Sequence, residues 1–445
     1  MNPEWNEQLL RAQAVLETLP PVLDDSAIQA CVSSALEHRE TYLALAAAHG
    51  SPLYILDGEV LRQRAARFVD AFGEHLAKVP CVFYAMKSNN SPGIASILVE
   101  CGLGLDVSSG WELQRALDVG AKDILFSGPG KTDAELMMAL AHADRVMLLI
   151  DSFGELARLA KLAADTATQI RCGVRLNSDP RGPWRKFGIS ADELGPFLIQ
   201  AESCEHLTVC GLQFHLSWNL SPERQAAMIR SLGPVLAGLE ESQRQRLEFL
   251  DIGGGYWPEP GEWLQWAGTA QGALLETIEP GSTRGHRRFF EASEPIETFA
   301  QVLCREIQTH ITPIVDLQIY CEPGRWLCHP CMHLLMTVVD RKRDDLAITD
   351  AGTNLVGWER FETDFSPVIN LTRPSLEELE CEIQGALCTP RDLWGYSCWG
   401  AEVFDGDLLL VPNQGAYTYS LRQTFIKPLP KTILLDHHTH QEKNL

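Results

Sequence analysis

Short apolar runs alternate with stretches of helical period through the middle of the chain. The runs stand at about 81–85, 103–107, 124–127, 146–150, 170–176, 207–215, 247–252 and 314–321. Between most of them apolar positions recur every three to four residues, at 92–101, 111–119, 132–142, 152–165, 191–202 and 222–242. A short apolar run bounded by turn residues predicts a strand buried on both faces, and the intervening period predicts a covering helix. The last gap, 256–312, is rich in Trp, Gly and Pro before a helix at about 294–311. Eight strands alternating with helices predict an α/β fold, a parallel sheet closed into a TIM-like (β/α)8 barrel. An open doubly wound sheet is the alternative. No Gly-x-Gly-x-x-Gly follows the first strand, which disfavours a dinucleotide fold.

The pattern changes at both ends. Leu9, Leu10, Ala14, Leu16 and Leu19 mark one helix before Pro20-Pro21, and Ala30 to Ala48 mark another. Gly50-Ser51-Pro52 is a break, Leu53 to Leu56 reads as a strand, and a helix runs from Gly58 to about Ala77. After Arg325 the strand candidates 333–339, 346–350, 367–371, 380–384, 407–412 and 431–435 follow without regular helices between them. The predicted organisation is a helical N-terminal extension over 1–48, the barrel over 49–325 and a mostly β C-terminal domain over 326–445. Strand 53–56 is open to either of the last two.

Composition narrows the partners. Apolar residues make up 45% of the chain, enough for a large core, and the formal net charge is −22. An acidic surface repels nucleic acid and anionic membranes, so neither is expected as a partner. A small anion needs only a local basic or dipolar pocket. The start of the chain lacks the basic segment and apolar run of a signal peptide, and no apolar run has the length of a membrane span. With thirteen scattered cysteines, the expectation is a cytoplasmic protein with free thiols. Cys328-His329-Pro330-Cys331 has CxxC spacing but no second ligand pair, so structural cysteines and no metal are expected.

In such a barrel, chemistry sits where the strands end. The first strand ends on Phe83-Tyr84-Ala85-Met86-Lys87-Ser88-Asn89-Asn90. A lysine at the mouth of a buried strand is partly desolvated, which lowers its pKa and makes the amine available for a Schiff base. A lysine that merely ends a strand and reaches for water is the plain alternative. The other strand ends shift the balance. They carry Asp106-Val107-Ser108-Ser109-Gly110, Ser127-Gly128-Pro129-Gly130-Lys131, Asp151-Ser152, Arg175-Leu176-Asn177, His215, Asp251-Ile252-Gly253-Gly254-Gly255 and Glu322-Pro323-Gly324-Arg325. Lys87 offers an amine, Glu322 a carboxylate for a protonated ring nitrogen, and His215 a ring to stack. Gly253 to Gly255, with Gly324 and Arg325, offer close backbone approach and charge to a phosphate. These are the requirements of pyridoxal phosphate.

Taken in order, these motifs resemble those of the fold type III (alanine-racemase-like) pyridoxal-phosphate enzymes, in particular the diaminopimelate and ornithine decarboxylase group. The resemblance spans roughly residues 50–425 and adds Trp111-Glu112-Leu113, Lys186-Phe187-Gly188, Gly385-Ala386-Leu387-Cys388 and Gly415-Ala416-Tyr417. It implies an amino-acid carboxy-lyase that works as a homodimer, with its active site at the interface. By the same resemblance Lys87 holds the cofactor as a Schiff base, His215 stacks on its ring, and Glu322 bonds the pyridine nitrogen. Gly254, Gly255, Gly324, Arg325 and Tyr417 lie around the phosphate. Cys388, supplied by the partner subunit, helps return a proton after CO2 leaves. Asp106 and Glu112 read as ordinary solvated or capping carboxylates and stand outside the catalytic set.

Three departures bear on the substrate. The family places Glu or Asp directly after the cysteine, whereas Thr389 is uncharged, and Asp392 is the nearest carboxylate. The family's His-x-Gly-Ser is here His215-Leu216-Ser217-Trp218. The arginine expected soon after Asp350-Ala351-Gly352 comes late, as Arg360. Thr389, Asp392 and Arg360 are therefore the candidate substrate contacts. The Cys-Thr-Pro-x-x-Asp form resembles divergent decarboxylases of siderophore and other secondary pathways, which act on diamino acids or amino-acid conjugates. A racemase on the same fold, or a non-catalytic homologue acting as a regulator, are the competing readings. Retention of Lys87, Glu322, Arg325 and Cys388 argues against the regulator. The loop 256–293, with Trp257, Trp263, Trp266 and Arg284 to Arg288, is open between a cover for the site, a partner contact and a solvated loop.

Overall fold

The computed structural model describes residues 3–18, 20–179, 181–281, 287–357, 363–436 and 441–444. The chain forms two compact units, one of residues 58–259 and 294–328, the other of residues 1–57, 260–293 and 329–445.

The first unit is a closed barrel of eight parallel strands in chain order. They are Cys81–Ala85, Gly104–Val107, Ile124–Phe126, Val146–Ile150, Ile170–Arg175, Leu207–Gln213, Phe249–Asp251 and Gln318–Cys321. The last strand closes on both the first and the seventh. Glycines and aromatic rings share its interior. A Cβ at Gly211 would lie 2.1 Å from the Phe249 ring, and one at Gly104 would lie 2.4 Å from the Phe83 ring. Phe249 stacks on Tyr320 with ring centroids 4.4 Å apart. Large side chains thus fill the barrel only because neighbouring strands have none at those places.

Side-chain caps keep several strand-to-helix turns short. Ser109 accepts from the Glu112 N–H, Ser152 accepts from the Glu155 N–H, and Thr132 forms a reciprocal capping box with Glu135. Each cap meets orphan N–H groups of its helix and fixes where the preceding strand ends. Behind the third strand, Lys131 is enclosed. Its Nζ donates to Gly128 O at 2.7 Å, Leu149 O at 2.9 Å and Glu155 Oε1 at 2.7 Å. Both side chains of this pair are at most 2% exposed.

The second unit is built on a mixed sheet. Its central path runs through strands 378–379, 398–399, 369–370, 408–411, 332–343, 53–57, 431–436 and 441–444. Leu53–Asp57 lies antiparallel to Met332–Arg343 and parallel to Lys431–Asp436, so it is a strand of this sheet. Helices Asp25–Glu37 and Arg39–His49 cover one of its faces. Ile28, Val32, Tyr42 and Leu45 share a core cluster with Leu53, Ile55, Leu335, Ile369 and Ile433. The N-terminal extension therefore has a packing role. Within 256–293, Glu262–Gln265 and Arg288–Glu291 form an antiparallel pair. Arg288 is buried and bonded to Glu378 and to Ser397 Oγ, so it is no free basic group. Arg284, Gly285 and His286 lie outside the described residues. Among the described residues no helix is long and apolar enough to cross a membrane.

The enclosed Lys131–Glu155 pair gives the first test. Lys131→Met leaves an uncompensated buried carboxylate and is expected to cost about 3–5 kcal/mol. Lys131→Met combined with Glu155→Leu should recover most of that loss. Denaturant midpoints of both variants check this, and a single variant as stable as the parent would refute it.

Candidate active site

The first barrel strand delivers Lys87 into a single 3-10 turn, Met86–Ser88. The turn is pinned from both sides, by Ser88 Oγ donating to Ala85 O at 2.7 Å and Tyr84 Oη donating to Asn89 O at 2.9 Å. Lys87 Nζ reaches Asp106 Oδ2 at 2.7 Å. The lysine side chain is about one-third exposed, while that of Asp106 is fully enclosed. Asp106 Oδ1 also accepts from Ser127 Oγ at 2.7 Å. Burial pushes the Asp106 carboxyl up to about 6, against the pull of Lys87 and with the push of Glu322. Asp106 is thus the partner that holds the Lys87 amine, a place its sequence context alone did not give it. Of the two readings open for Glu112, solvated or capping, it takes the second, accepting from the Ser108 N–H at 2.8 Å just before the helix.

The eighth strand ends on Glu322, 1% exposed. Its Oε1 accepts from Gln213 Nε2 at 3.2 Å, and its Oε2 lies 3.0 Å from His215 Nδ1. Burial pushes the Glu322 carboxyl up, but the His215 hydrogen bond and the Lys87 charge outweigh it, so the group lies well below the usual carboxylate range. Burial, then Glu322 itself, drives neighbouring Asp251 far the other way. Of two adjacent buried carboxyls, Glu322 is thus shifted towards its charged form and Asp251 towards its protonated form. Burial likewise lowers His215, against the raising effect of its bond to Glu322. Gln213 and Asp251 are members of this site that the sequence reading did not single out. Both stand at strand ends, which was the only available signal.

The glycine run packs backbone against backbone. A Cβ at Gly254 would lie 2.0 Å from Glu322 O, and one at Gly255 would lie 2.2 Å from Leu216 O. Gly253 and Gly255 have φ of +69° and +82°, conformations that side chains oppose. Glu322 N–H donates to Gly253 O at 2.9 Å, which ties this run to the turn bearing Gly324 and Arg325. Among the described residues the N–H groups of Gly255 and Gly324 have no hydrogen-bond partner in the protein. They remain available to an anion. Ser217 lies against the same run, its Cα 3.0 Å from a Cβ built at Gly255. The Arg325 guanidinium sits 4.1 Å over the Trp257 ring. An amine, an ionised carboxylate and a glycine-walled anion cradle on one rim fit a cofactor with an aldehyde, a basic ring nitrogen and a phosphate.

The remaining candidates belong to the other unit. Cys388 is exposed, and Thr389 is half-buried. Tyr417 has φ of +57°, a strained state for a bulky residue that persists only where its surroundings enforce it. Asp392 differs from its predicted role as a substrate contact. It is 3% exposed, and its oxygens accept from Thr353 and from the Leu387 N–H. Its carboxylate is turned inward and committed to the chain. Arg360 lies outside the described residues.

Comparisons with known proteins agree with this chemistry. The family profile described as "Pyridoxal-dependent decarboxylase, pyridoxal binding domain" matches residues 59–329, more than half of the chain. Diaminopimelate decarboxylase of Campylobacter jejuni is 25% identical over 404 residues, covering 86% of this chain and 90% of that one. The corresponding enzyme of Methanothermobacter thermautotrophicus is 26% identical over 413 residues, covering 88% of each. In fold, the crystal structure of Helicobacter pylori diaminopimelate decarboxylase complexed with L-lysine matches with a TM-score of 0.74 at 24% identity, over 91% of this chain and 95% of that one. Lysine/ornithine decarboxylase of Vibrio vulnificus complexed with putrescine matches with a TM-score of 0.69 at 21% identity, over 90% and 98%. The chain therefore belongs to the fold type III pyridoxal-phosphate-dependent amino-acid decarboxylases, and pyridoxal 5'-phosphate is its cofactor.

Proposed function

We propose that this enzyme removes the α-carboxylate of a diamino acid, or of an amino acid already joined to another acid. The observation that carries the catalytic part is the rim of the barrel, where the Lys87 amine is held 2.7 Å from Asp106 and an ionised Glu322 stands among hydrogen-bond donors. Pyridoxal phosphate supplies the electron sink that lets CO2 depart. The protein's residues do the rest. Lys87 anchors the cofactor covalently, and Asp106 keeps the amine oriented. Glu322, ionised, holds a proton on the ring nitrogen. His215 offers its neutral ring as a stacking surface, fixed by its bond to Glu322. Gly254, Gly255, Gly324, Arg325 and Tyr417 bind the phosphate. Cys388 returns a proton to the carbon that lost CO2. Its exposure suits a residue offered to a site completed by a second copy of the chain, so the working form in this reading is a homodimer.

The substrate reading rests on Thr389. An uncharged residue after the cysteine cannot form an ion pair with a distal amine, and Asp392 does not replace it. A blocked or differently charged far end removes the need for such a pair. A place in a siderophore or other secondary pathway fits a substrate of this kind.

Two measurements follow. Supplied with pyridoxal phosphate, the protein should show a visible absorbance band that borohydride abolishes, and Lys87→Ala should lack the band. An equal band in the variant would remove Lys87 from its role. Among diamino acids and their conjugates, CO2 release should be fastest from substrates with a modified far end. Rapid turnover of free meso-diaminopimelate and of no conjugate would overturn the substrate reading.

A further inference from the structure

One carboxylate closes the Cys388 loop from behind. The Gly385 N–H donates to Asp392 O at 2.7 Å, so the two ends of this short segment meet. The Ala386 N–H donates to Ala351 O at 3.2 Å, which ties the segment to the turn at Ala351–Thr353. The Asp392 side chain fills the space between them. Oδ1 accepts from the Thr353 N–H at 2.7 Å and from Thr353 Oγ1 at 3.0 Å, and Oδ2 accepts from the Leu387 N–H at 2.6 Å. Burial raises the Asp392 carboxyl, and the Thr353 and Leu387 donors oppose that rise.

Glycines make the approach possible on both sides. A Cβ at Gly385 would lie 2.2 Å from Asp392 Oδ2, and one at Gly352 would lie 2.4 Å from Leu387 Cγ. Neither glycine has a positive φ, so the demand is for space and not for an unusual backbone conformation. Trp394, also buried, donates from Nε1 to Ala351 O at 3.0 Å and fixes the far side of the same turn. The result is an exposed thiol on a loop whose preceding peptide is held by a buried anion. Loop tips without such a hold open at low cost.

We propose that Asp392 is a positioning residue that sets where the Cys388 thiol stands, by clamping the Leu387 peptide to the Thr353 turn. This rests on the reading of Cys388 as the proton donor. Asp392 touches neither substrate nor cofactor in this role and acts only through the loop. A buried hydrogen-bonded support of this kind matters because a displacement of about 1 Å at a reacting group can cost about a hundredfold in rate.

The test uses the full-length protein. Asp392→Asn keeps the shape but turns an NH2 toward an N–H donor. It should lower kcat by about ten- to a hundredfold with KM and the cofactor absorbance unchanged. In the cofactor-free protein, the rate and pH profile of Cys388 alkylation by iodoacetamide, read by mass spectrometry of its peptide, should shift in the same variant. Gly385→Ala, which pushes on the same carboxylate, should shift both readouts in the same direction. Thr353→Val, which removes only the hydroxyl contact, should shift them less. If Asp392→Asn does not fold, these two variants carry the test. Unchanged alkylation across the series would overturn the proposal, as would a raised KM with kcat intact, which returns Asp392 to substrate binding. Cys388→Ser separates the two layers. Full activity in that variant overturns the proton-donor reading, while the alkylation series still decides whether Asp392 sets the thiol.

Discussion

Charge taken out of water governs the rim of the barrel. Parallel strands buried on both faces bring their last residues to a place where ionisation is penalised, and capped helices begin a few residues later. Asp106, His215, Asp251 and Glu322 all meet this penalty, and their neighbours set the direction in which each is finally shifted. Asp106 faces the Lys87 ammonium. Glu322 draws donors from Gln213 and His215, which favour its charged form, and Asp251 beside it is shifted the other way. Donors to one carboxyl favour its charged form, and that charge in turn raises the carboxyl beside it.

The barrel was legible because desolvation leaves a simple trace in sequence. A strand covered on both sides reads as an unbroken apolar run, and all eight runs became strands. The last came out shorter than its pattern, since Ile314 and Val315 bond back to Ile311 and finish the preceding helix. The same full burial hid the partner of Leu53–Asp57, because with all five residues buried there is no alternation to betray a sheet face. Strands of two or three residues, such as Glu378–Leu379 and Cys398–Trp399, are too short to carry a period at all.

The site divides along a similar line. Lys87, His215, Glu322 and the glycine run stand out because their types are rare at strand ends and occur together. Asp106 and Asp251 do not, because a carboxylate at a strand end looks the same in sequence whether it is solvated, paired or protonated. Asp392 misled for a related reason. Proximity in sequence to Cys388 says nothing about direction, and the inward turn of its side chain is met by the Thr353 N–H, 39 residues away, and by the space that Gly385 leaves.

The two glycine systems solve opposite problems with the same means. At Gly253 to Gly255, missing side chains let backbone approach backbone, and the N–H groups of Gly255 and Gly324 have no partner among the described residues. At Gly385 and Gly352, missing side chains let a buried anion belonging to the protein approach backbone N–H groups from inside. In the proposed reading, the first receives the phosphate of the cofactor, and a change there would disturb the decarboxylation step itself. The second holds a loop whose next residues, Cys388 and Thr389, differ in kind. Cys388 is exposed, whereas Thr389 is half-buried, uncharged and accepts from the Arg391 N–H. In the proposed reading, a clamp set before the cysteine holds the thiol without dictating the chemistry of the position that follows it.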